Sequence, residues 1–286
     1  MDPYFPPELE REIFETSAVL YPETIPSLLL VAHRVLTWIE PFLYRVISVI
    51  GHEEPAFLPA LRTKPAGFLR KAVRHVFADM RVSTHMSDLG QVLDIALDVE
   101  SLTVFPATSE YLLERLKPLH LKRLAILLEP VFHSDDLTVT AVEFTLPMFA
   151  SITHLDLFDG ISDSAYFEHW TELAALPALT HLALSTLCDV LRGAKHVLGN
   201  SKTIKILVSM DPSDPEDDAP VIPERVVNDD RFVFMALSTA QYQEDWHVGA
   251  RGGVDFWARA ERFVEKKRRK EIEPRSRHWI LPEDGI

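Results

Sequence analysis

His154 and His181 sit at matching places in two near-copies of one short segment, Ile152-Thr-His-Leu-Asp-Leu157 and Leu179-Thr-His-Leu-Ala-Leu184. If the segments are neighbouring strands, the two imidazoles stand side by side. Such a pair suits a binding surface or a weak metal site, although repeat-derived polar residues on a solvated strand explain it more simply. The twelve histidines are otherwise scattered, with no His-Glu-x-x-His and no Cys/His ligand spacing. No Gly-x-Ser-x-Gly elbow and no Walker A run is present. Gly249-Ala-Arg-Gly-Gly253 precedes a helical pattern and could offer backbone N–H groups and Arg251 to an anion. It has no strand before it and no Lys-Ser/Thr after it, so a turn leading to Asp255 is the plainer reading. The carboxylates of Asp211-Pro-Ser-Asp-Pro-Glu-Asp-Asp218 lack the spacing and turn glycine of a calcium loop. The stretch 211–220 is most simply a solvated acidic excursion. Cys188 is the single cysteine; it excludes an internal disulfide, fits a reducing compartment and reads as a core filler. These patterns point to a chain without catalysis, metal or cofactor.

The histidine segments belong to a longer series. Val99-Glu-Ser-Leu-Thr-Val104, Leu121-Lys-Arg-Leu-Ala-Ile126 and a degraded Thr203-Ile-Lys-Ile-Leu-Val208 share the form apolar-x-x-apolar-x-apolar. The fourth position falls at 102, 124, 155, 182 and 206, in steps of 22, 31, 27 and 24. Leucine-rich repeats run about 20–29 residues. Phe232-Val-Phe-Met-Ala-Leu237 offers a sixth strand. Ser109–Leu116 and Tyr166–Leu176 read as outer helices. The fold class expected is therefore α/β: a loose leucine-rich-repeat-like solenoid of about five or six parallel strands. An ordinary βαβ sheet gives similar spacing, but the near-copies favour the solenoid. Side chains between the core positions then form a concave strip: Ser101, Thr103, Phe105; Arg123, Ala125, Leu127; His154, Asp156, Phe158; His181, Ala183, Ser185; Lys205, Leu207, Ser209. From it, Phe105, Arg123, Leu127, His154, Asp156, Phe158 and His181 are the candidate contacts to a protein target. Its mixed, partly apolar character suits a protein surface better than a phosphate or sugar.

The first fifth of the chain differs. Pro6 and Pro7 suit a first helical turn. Leu9, Ile13 and Phe14 then share one face, with charges opposite. A second start at Pro22-Glu-Thr-Ile-Pro26 leads into Leu28–Ile39, and Pro41 separates that run from another beginning at Phe42. So small a helical unit with several apolar faces must dock on the chain or on a partner. Phe5-Pro-Pro-Glu-Leu-Glu-Arg-Glu-Ile-Phe14 and Ser27-Leu-Leu-Leu-Val-Ala-His-Arg-Val35 resemble an F-box, whose consensus opens Leu-Pro-x-Glu-Leu and continues to Ile-Phe. Phe5, Ala32 and Val35 stand where that family has Leu, Cys and Trp. With Thr-His-Leu-Asp-Leu-Phe-Asp159 and Asp255-Phe-Trp-Ala-Arg-Ala-Glu-Arg-Phe263, the whole chain is similar to short F-box-like proteins of mushroom-forming fungi.

The resemblance implies a three-helix hook that binds a Skp-type adaptor of cullin-RING ubiquitin ligases through Pro6, Leu9, Ile13, Phe14, Leu28 and Leu30. The expected organisation is a head over 1–50, a helical connector over 51–94, a repeat array over 95–240, and a cap helix with basic tail over 241–286. The implied function is a non-catalytic substrate-recognition subunit. One alternative is a repeat scaffold whose head meets no adaptor; another is an enzyme or ligand-binding protein with a site near Gly249–Gly253. A formal charge of −14 disfavours nucleic acid. No run of 18 apolar residues and no signal-peptide pattern occurs, so a cytoplasmic or nuclear protein is expected. Lys266-Lys-Arg-Arg-Lys270 complements the end of its helix, with an import signal as the alternative.

Overall fold

Strands need apolar residues on the face that meets a core, and this chain supplies that face eight times. The computed structural model describes residues 5–50, 57–79, 85–105, 110–132, 142–159, 171–185, 190–212 and 227–286. Its strands are β1 (Val46–Val49), β2 (His75–Asp79), β3 (Ser101–Phe105), β4 (Arg123–Ile126), β5 (His154–Leu157), β6 (His181–Ser185), β7 (Ile206–Asp211) and β8 (Phe232–Ala236). They form one sheet in chain order, every neighbouring pair parallel.

The register aligns Ile47, Val76, Leu102, Leu124, Leu155, Leu182, Leu207 and Phe232 in one ladder. This ladder and the residues two places on form the main core. Strands β2 to β7 open the same way. The carbonyl of Glu100 accepts from both Lys122 N and Arg123 N, at 2.8 and 3.0 Å, and Thr153 serves Thr180 and His181 likewise, at 3.0 and 3.0 Å. That shared carbonyl fixes where each strand starts, so residues at one ladder position share a face.

The described helices beside the strands are short: α4 (Leu58–Thr63), α5 (Ala66–Ala72), α6 (His85–Ile95), α7 (Glu110–Leu116), α8 (Glu129–Phe132) and α9 (Val190–Asn200). Buried Leu89, Val92 and Leu93 of α6 and Leu112 and Leu116 of α7 cover the main core. Asp159 links neighbouring repeats. Its carboxylate accepts Leu128 N at 2.7 Å and Glu129 N at 2.9 Å, tying one repeat to the start of α8. The expected helix over Tyr166–Leu176 is described only from residue 171, where Thr171–Ala175 is 3-10. Cys188 and residues 213–218 of the acidic stretch lie outside the described residues.

The N-terminal head holds α1 (Pro7–Leu20), α2 (Ile25–Leu28) and α3 (His33–Ile39) around buried Ala18, Ile25, Val35 and Ile39. Arg34 joins Glu10 through two hydrogen bonds of 3.0 and 2.6 Å, fastening α3 to α1. The run from Phe42 does not start another α-helix. Glu40–Tyr44 is one 3-10 stretch, and the chain then enters β1.

Three expectations change. The sheet has eight strands rather than five or six, because β1 lies inside the expected head and β2 inside the expected helical connector. The last recognised repeat is one residue out of register: Leu207, not Ile206, joins the core ladder. Ile206, Val208 and Met210 therefore face the other way, in place of Lys205, Leu207 and Ser209. Third, α10 (Thr239–Ala250) and α11 (Phe256–Arg268) are not confined to the final repeat, although α11 does pack on β7 and β8. They lie along the strip expected to be open, from β1, where Ser48 Oγ is 3.3 Å from His247 Nε2, to β7 and β8. The basic run ends α11, with Lys266, Lys267 and Arg268 in its last turn as expected. Lys267 is buried, its Nζ donating to Arg277 O at 3.0 Å, and Lys266 donates to the Asp284 carbonyl. Residues beyond it cover the edge of β8, where Phe234 N donates to His278 O at 2.6 Å. Buried Arg277 and Asp284 lock that segment with bonds of 2.7 and 2.6 Å.

Leu155 and Leu182 are adjacent and fully buried. Leu155→Ala and Leu182→Ala should each cost about 2–5 kcal/mol as cavity-forming changes, read by urea unfolding. A loss below about 1 kcal/mol for both would contradict a continuous core there.

Candidate functional site

The strip beneath α10 and α11 gathers most of the candidate target residues. Two well-formed caps set the helices over it. Ser238 makes a capping box with Gln241 at the start of α10, and Asp255 Oδ1 accepts Ala258 N at 2.9 Å to start α11. Between them the N–H groups of Arg251 and Gly253 donate to Val248 O, and that of Gly252 to Gly249 O. Gly252 has φ +83°, which suits glycine. A Cβ on Gly249 would come within 2.4 Å of Asp255 Oδ2. The Gly249–Gly253 segment is thus a tight helix-ending turn whose N–H groups are committed to carbonyls; it forms no anion cradle.

Polar groups of the sheet meet the two helices in a line. Arg123 donates to Asp255 Oδ2 at 2.9 Å. The His154 and His181 rings stack 4.1 Å apart at 4°, and Trp257 stands edge-on at 5.3 and 5.7 Å. His181 Nε2 is 2.9 Å from Glu261 Oε1 and its Nδ1 is 2.7 Å from Thr180 Oγ1. The carboxylate takes a hydrogen bond from Nε2–H, so in neutral His181 the Nδ1 accepts from the Thr180 hydroxyl. Burial, with His181 and Arg123 nearby, lowers His154 to about 2; burial and neighbouring arginines lower His75 to about 4. Burial lowers His181 as well, opposed by Glu261. The histidine pair is therefore neutral and internal, not a solvated strand feature. Among the described residues no group of three or more His, Cys, Asp or Glu is placed to hold a metal ion.

Asp156 has the most unusual surroundings. Tyr242 Oη donates to its Oδ2 at 2.7 Å, while Oδ1 is buried without a hydrogen-bond partner. Burial pushes the Asp156 carboxyl up to about 7, against the lowering effect of the tyrosine. The residue lines two cavities. The smaller, about 30 Å³, also touches His75, Arg123 and Trp257 and has room for about one water. The larger, about 100 Å³, opens where the strands end, among Phe77, Asp79, Phe105, Phe158 and Tyr242. Phe105 and Phe158 meet edge to face at 5.2 Å and 85°, and Phe158 and Tyr242 at 5.6 Å and 78°.

The expected target residues thus divide. Asp156 and His181 are buried, and Arg123 and His154 are held in the seam under Asp255 and Trp257. Phe105, Leu127 and Phe158 are half-buried, and only Phe105 and Phe158 border the larger cavity. The strip is a second core rather than an open face, because Phe256, Trp257, Phe263 and Val264 gain burial by covering it. Tyr242 is central to this second core. Asp79 and Phe77 went unnoticed because β2 lacks the leucines of the other repeats; its alternation His-Val-Phe-Ala-Asp was the available signal.

In the head, Leu9, Ile13 and Leu30 are 49%, 53% and 86% exposed, and Pro6 is exposed too. Phe14 and Leu28, by contrast, pack partly against the head's own core. Beside the head, a recess of about 290 Å³ lies between Ile25, Phe42 and Arg45 and the end of α10.

Comparison with protein-family models, with curated proteins and with solved structures gives no match to this chain. Among the described residues no helix is long and apolar enough to cross a membrane.

A carboxyl whose folded pKa is raised keeps its proton where the unfolded chain has lost it. Its contribution to stability therefore falls as pH rises from the ordinary 3.8 towards about 7, then stays level. An amide at this position would not titrate. Relative to wild type, Asp156→Asn should gain stability as pH rises from about 4.5 to about 7.5, at no more than about 1.4 kcal/mol per pH unit. Paired urea melts across that range test this, and a pH-independent difference would show that Asp156 titrates normally.

Proposed function

We propose that the chain is a non-catalytic recognition subunit of a cullin-RING ubiquitin ligase, held by a Skp-type adaptor through its head. The observation that carries this reading is where the exposed hydrophobic surface lies. Of the eleven large hydrophobic residues exposed among those described, nine fall between Phe5 and Leu43. Soluble monomers seldom leave such residues clustered without a partner. The cluster includes Leu9, Ile13 and Leu30, three of the positions that the F-box resemblance assigns to the adaptor. Pro6 precedes the first turn of α1, while Phe14 and Leu28 pack against the head's own core.

The alternative of a repeat scaffold shares every element of the fold and differs in this contact alone. Target recognition, in the ligase reading, falls to surfaces left outside the roofed strip. The rim at the strand ends, bordered by Phe105 and Phe158, is the part of the expected target surface that still borders an opening.

The test is binding of a purified Skp-type adaptor to the full chain by calorimetry. Ile13→Asp with Leu30→Asp should weaken it by about thirtyfold or more, since one central anchor is typically worth about 2 kcal/mol. Both side chains are exposed, so the melting temperature should move by no more than about 2 °C. Absence of adaptor binding by the wild-type chain would favour the scaffold.

A further inference from the structure

The recess between the head and the end of α10 joins two kinds of surface. Its apolar wall comes from Val19, Pro22, Ile25, Phe42 and Leu43, and its charge from Arg45, just before β1, and Arg251, just after α10. Both arginines are exposed, so a ligand reaches them directly from solvent. The Arg45 guanidinium lies 5.8 Å from the centre of the Phe42 ring, and Arg251 Nη1 donates to His247 O at 3.1 Å. Neither meets a carboxylate among the described residues, whereas Arg34 of the same head is held by Glu10 through two hydrogen bonds. A guanidinium carries five N–H donors, and most of those on Arg45 and Arg251 are unmatched among the described residues. No aspartate or glutamate is among the described residues lining the recess. In a chain of formal charge −14, that is a local reversal of sign. The N–H groups of the adjoining turn are committed to carbonyls, so the arginine side chains are the donors this place offers.

We propose that this recess binds a small amphiphilic carboxylate, its two oxygens against Arg45 and Arg251 and its carbon body against Val19, Phe42 and Leu43. A carboxylate matches the planar fork of a guanidinium. A neutral amide of the same shape keeps the apolar contact and loses the charge attraction. A bare anion such as acetate keeps the charge and leaves the apolar wall in water. The volume sets the size: a cavity of about 150 Å³ holds benzene, and this one, at about 290 Å³, takes a body of two fused rings. Because the head forms one side of the recess and the end of α10 the other, a bound ligand touches both and stabilises their present arrangement. Ile13 and Leu30, whose replacement tests the adaptor contact, are not among the described lining residues. The inference therefore does not depend on adaptor binding.

The experiment is calorimetric titration of the full chain, at about pH 7.5 and low salt, with 2-naphthoate, with 2-naphthamide and with acetate. The naphthoate should bind at least about fivefold more tightly than the amide and at least about tenfold more tightly than acetate. Arg45→Gln and Arg251→Gln change exposed side chains and should move the melting temperature by no more than about 2 °C. Each should remove most of the preference for naphthoate over naphthamide. Hydrogen exchange read on the same samples should slow in residues 18–26 and 248–253 together when naphthoate is present, which places the ligand between the head and α10. The proposal is overturned if naphthoate does not bind, if the amide or acetate binds as well, if neither arginine change alters the preference, or if protection appears only elsewhere in the chain.

Discussion

An eight-stranded parallel sheet has two faces, and the repeat crossovers can cover only one of them. The second face here carries Phe77, Ile206, Val208, Met210, Val233 and Met235, too apolar to leave in water. At about 25 cal/mol per Å² of apolar surface, exposing it would remove much of the stability of an ordinary domain. The pair α10–α11 answers that constraint. Its position follows from the tight turn at Gly249–Gly253, from the Asp245 carboxylate accepting Phe256 N and Arg259, and from Arg123 reaching Asp255. Parallel sheets are normally covered on both sides. A parallel repeat-like sheet with such a roof is therefore closer, physically, to a two-sided α/β layer structure than to an open horseshoe.

The roof is not uniformly dry. Over β7 and β8 the contact is hydrocarbon on hydrocarbon. Over β4 to β6 it is made by Arg123, the stacked histidines, Asp156, Tyr242, Asp255 and Glu261. An apolar set of the same volume would cost less to bury. A polar seam in this place fixes where α10 and α11 sit, since each partner pair has one good geometry. Asp156 goes further than that purpose needs, because half of its hydrogen-bonding capacity is left unused. Features that lower stability without improving packing tend to mark sites under functional demand.

Much of the array could be read from the sequence. Leu102, Leu124, Leu155 and Leu182 follow one template, and the structure places them in a single ladder. The pattern faded where its leucines did. In β1 and β2 the core positions are Ile47, Val49, Val76 and Ala78, and in β7 three apolar residues in a row, Ile206, Leu207 and Val208, give no alternation to set a register. A run buried on both faces is ambiguous by one residue, and that ambiguity exchanges inside for outside. Covering of the strip was illegible for a different reason. Nothing local in Phe256–Val264 says whether its apolar face meets the last repeat or the whole sheet; long-range contacts such as Tyr242 with Asp156 decide it. Stacking of His154 on His181 followed from the near-copies, whereas their burial under Trp257 did not.

The roof also decides how any binding functions can be arranged. It withdraws the middle of the strip from solvent and leaves two regions free, the apolar surface of α1 and the loop after α2, and the opening where the strands end. Asp156 and Ile13 belong to separate parts of the chain with no shared partner. Changes at sites so separated normally add without coupling. A partner on the head and a target at the strand ends would then occupy the chain independently, unless the recess beside Arg45 and Arg251 is altered by one of them. That recess is the place where the head meets the end of α10, and α10 carries Tyr242. A shift of α10 along the sheet would link the two surfaces, and the polar seam that locates α10 opposes such a shift.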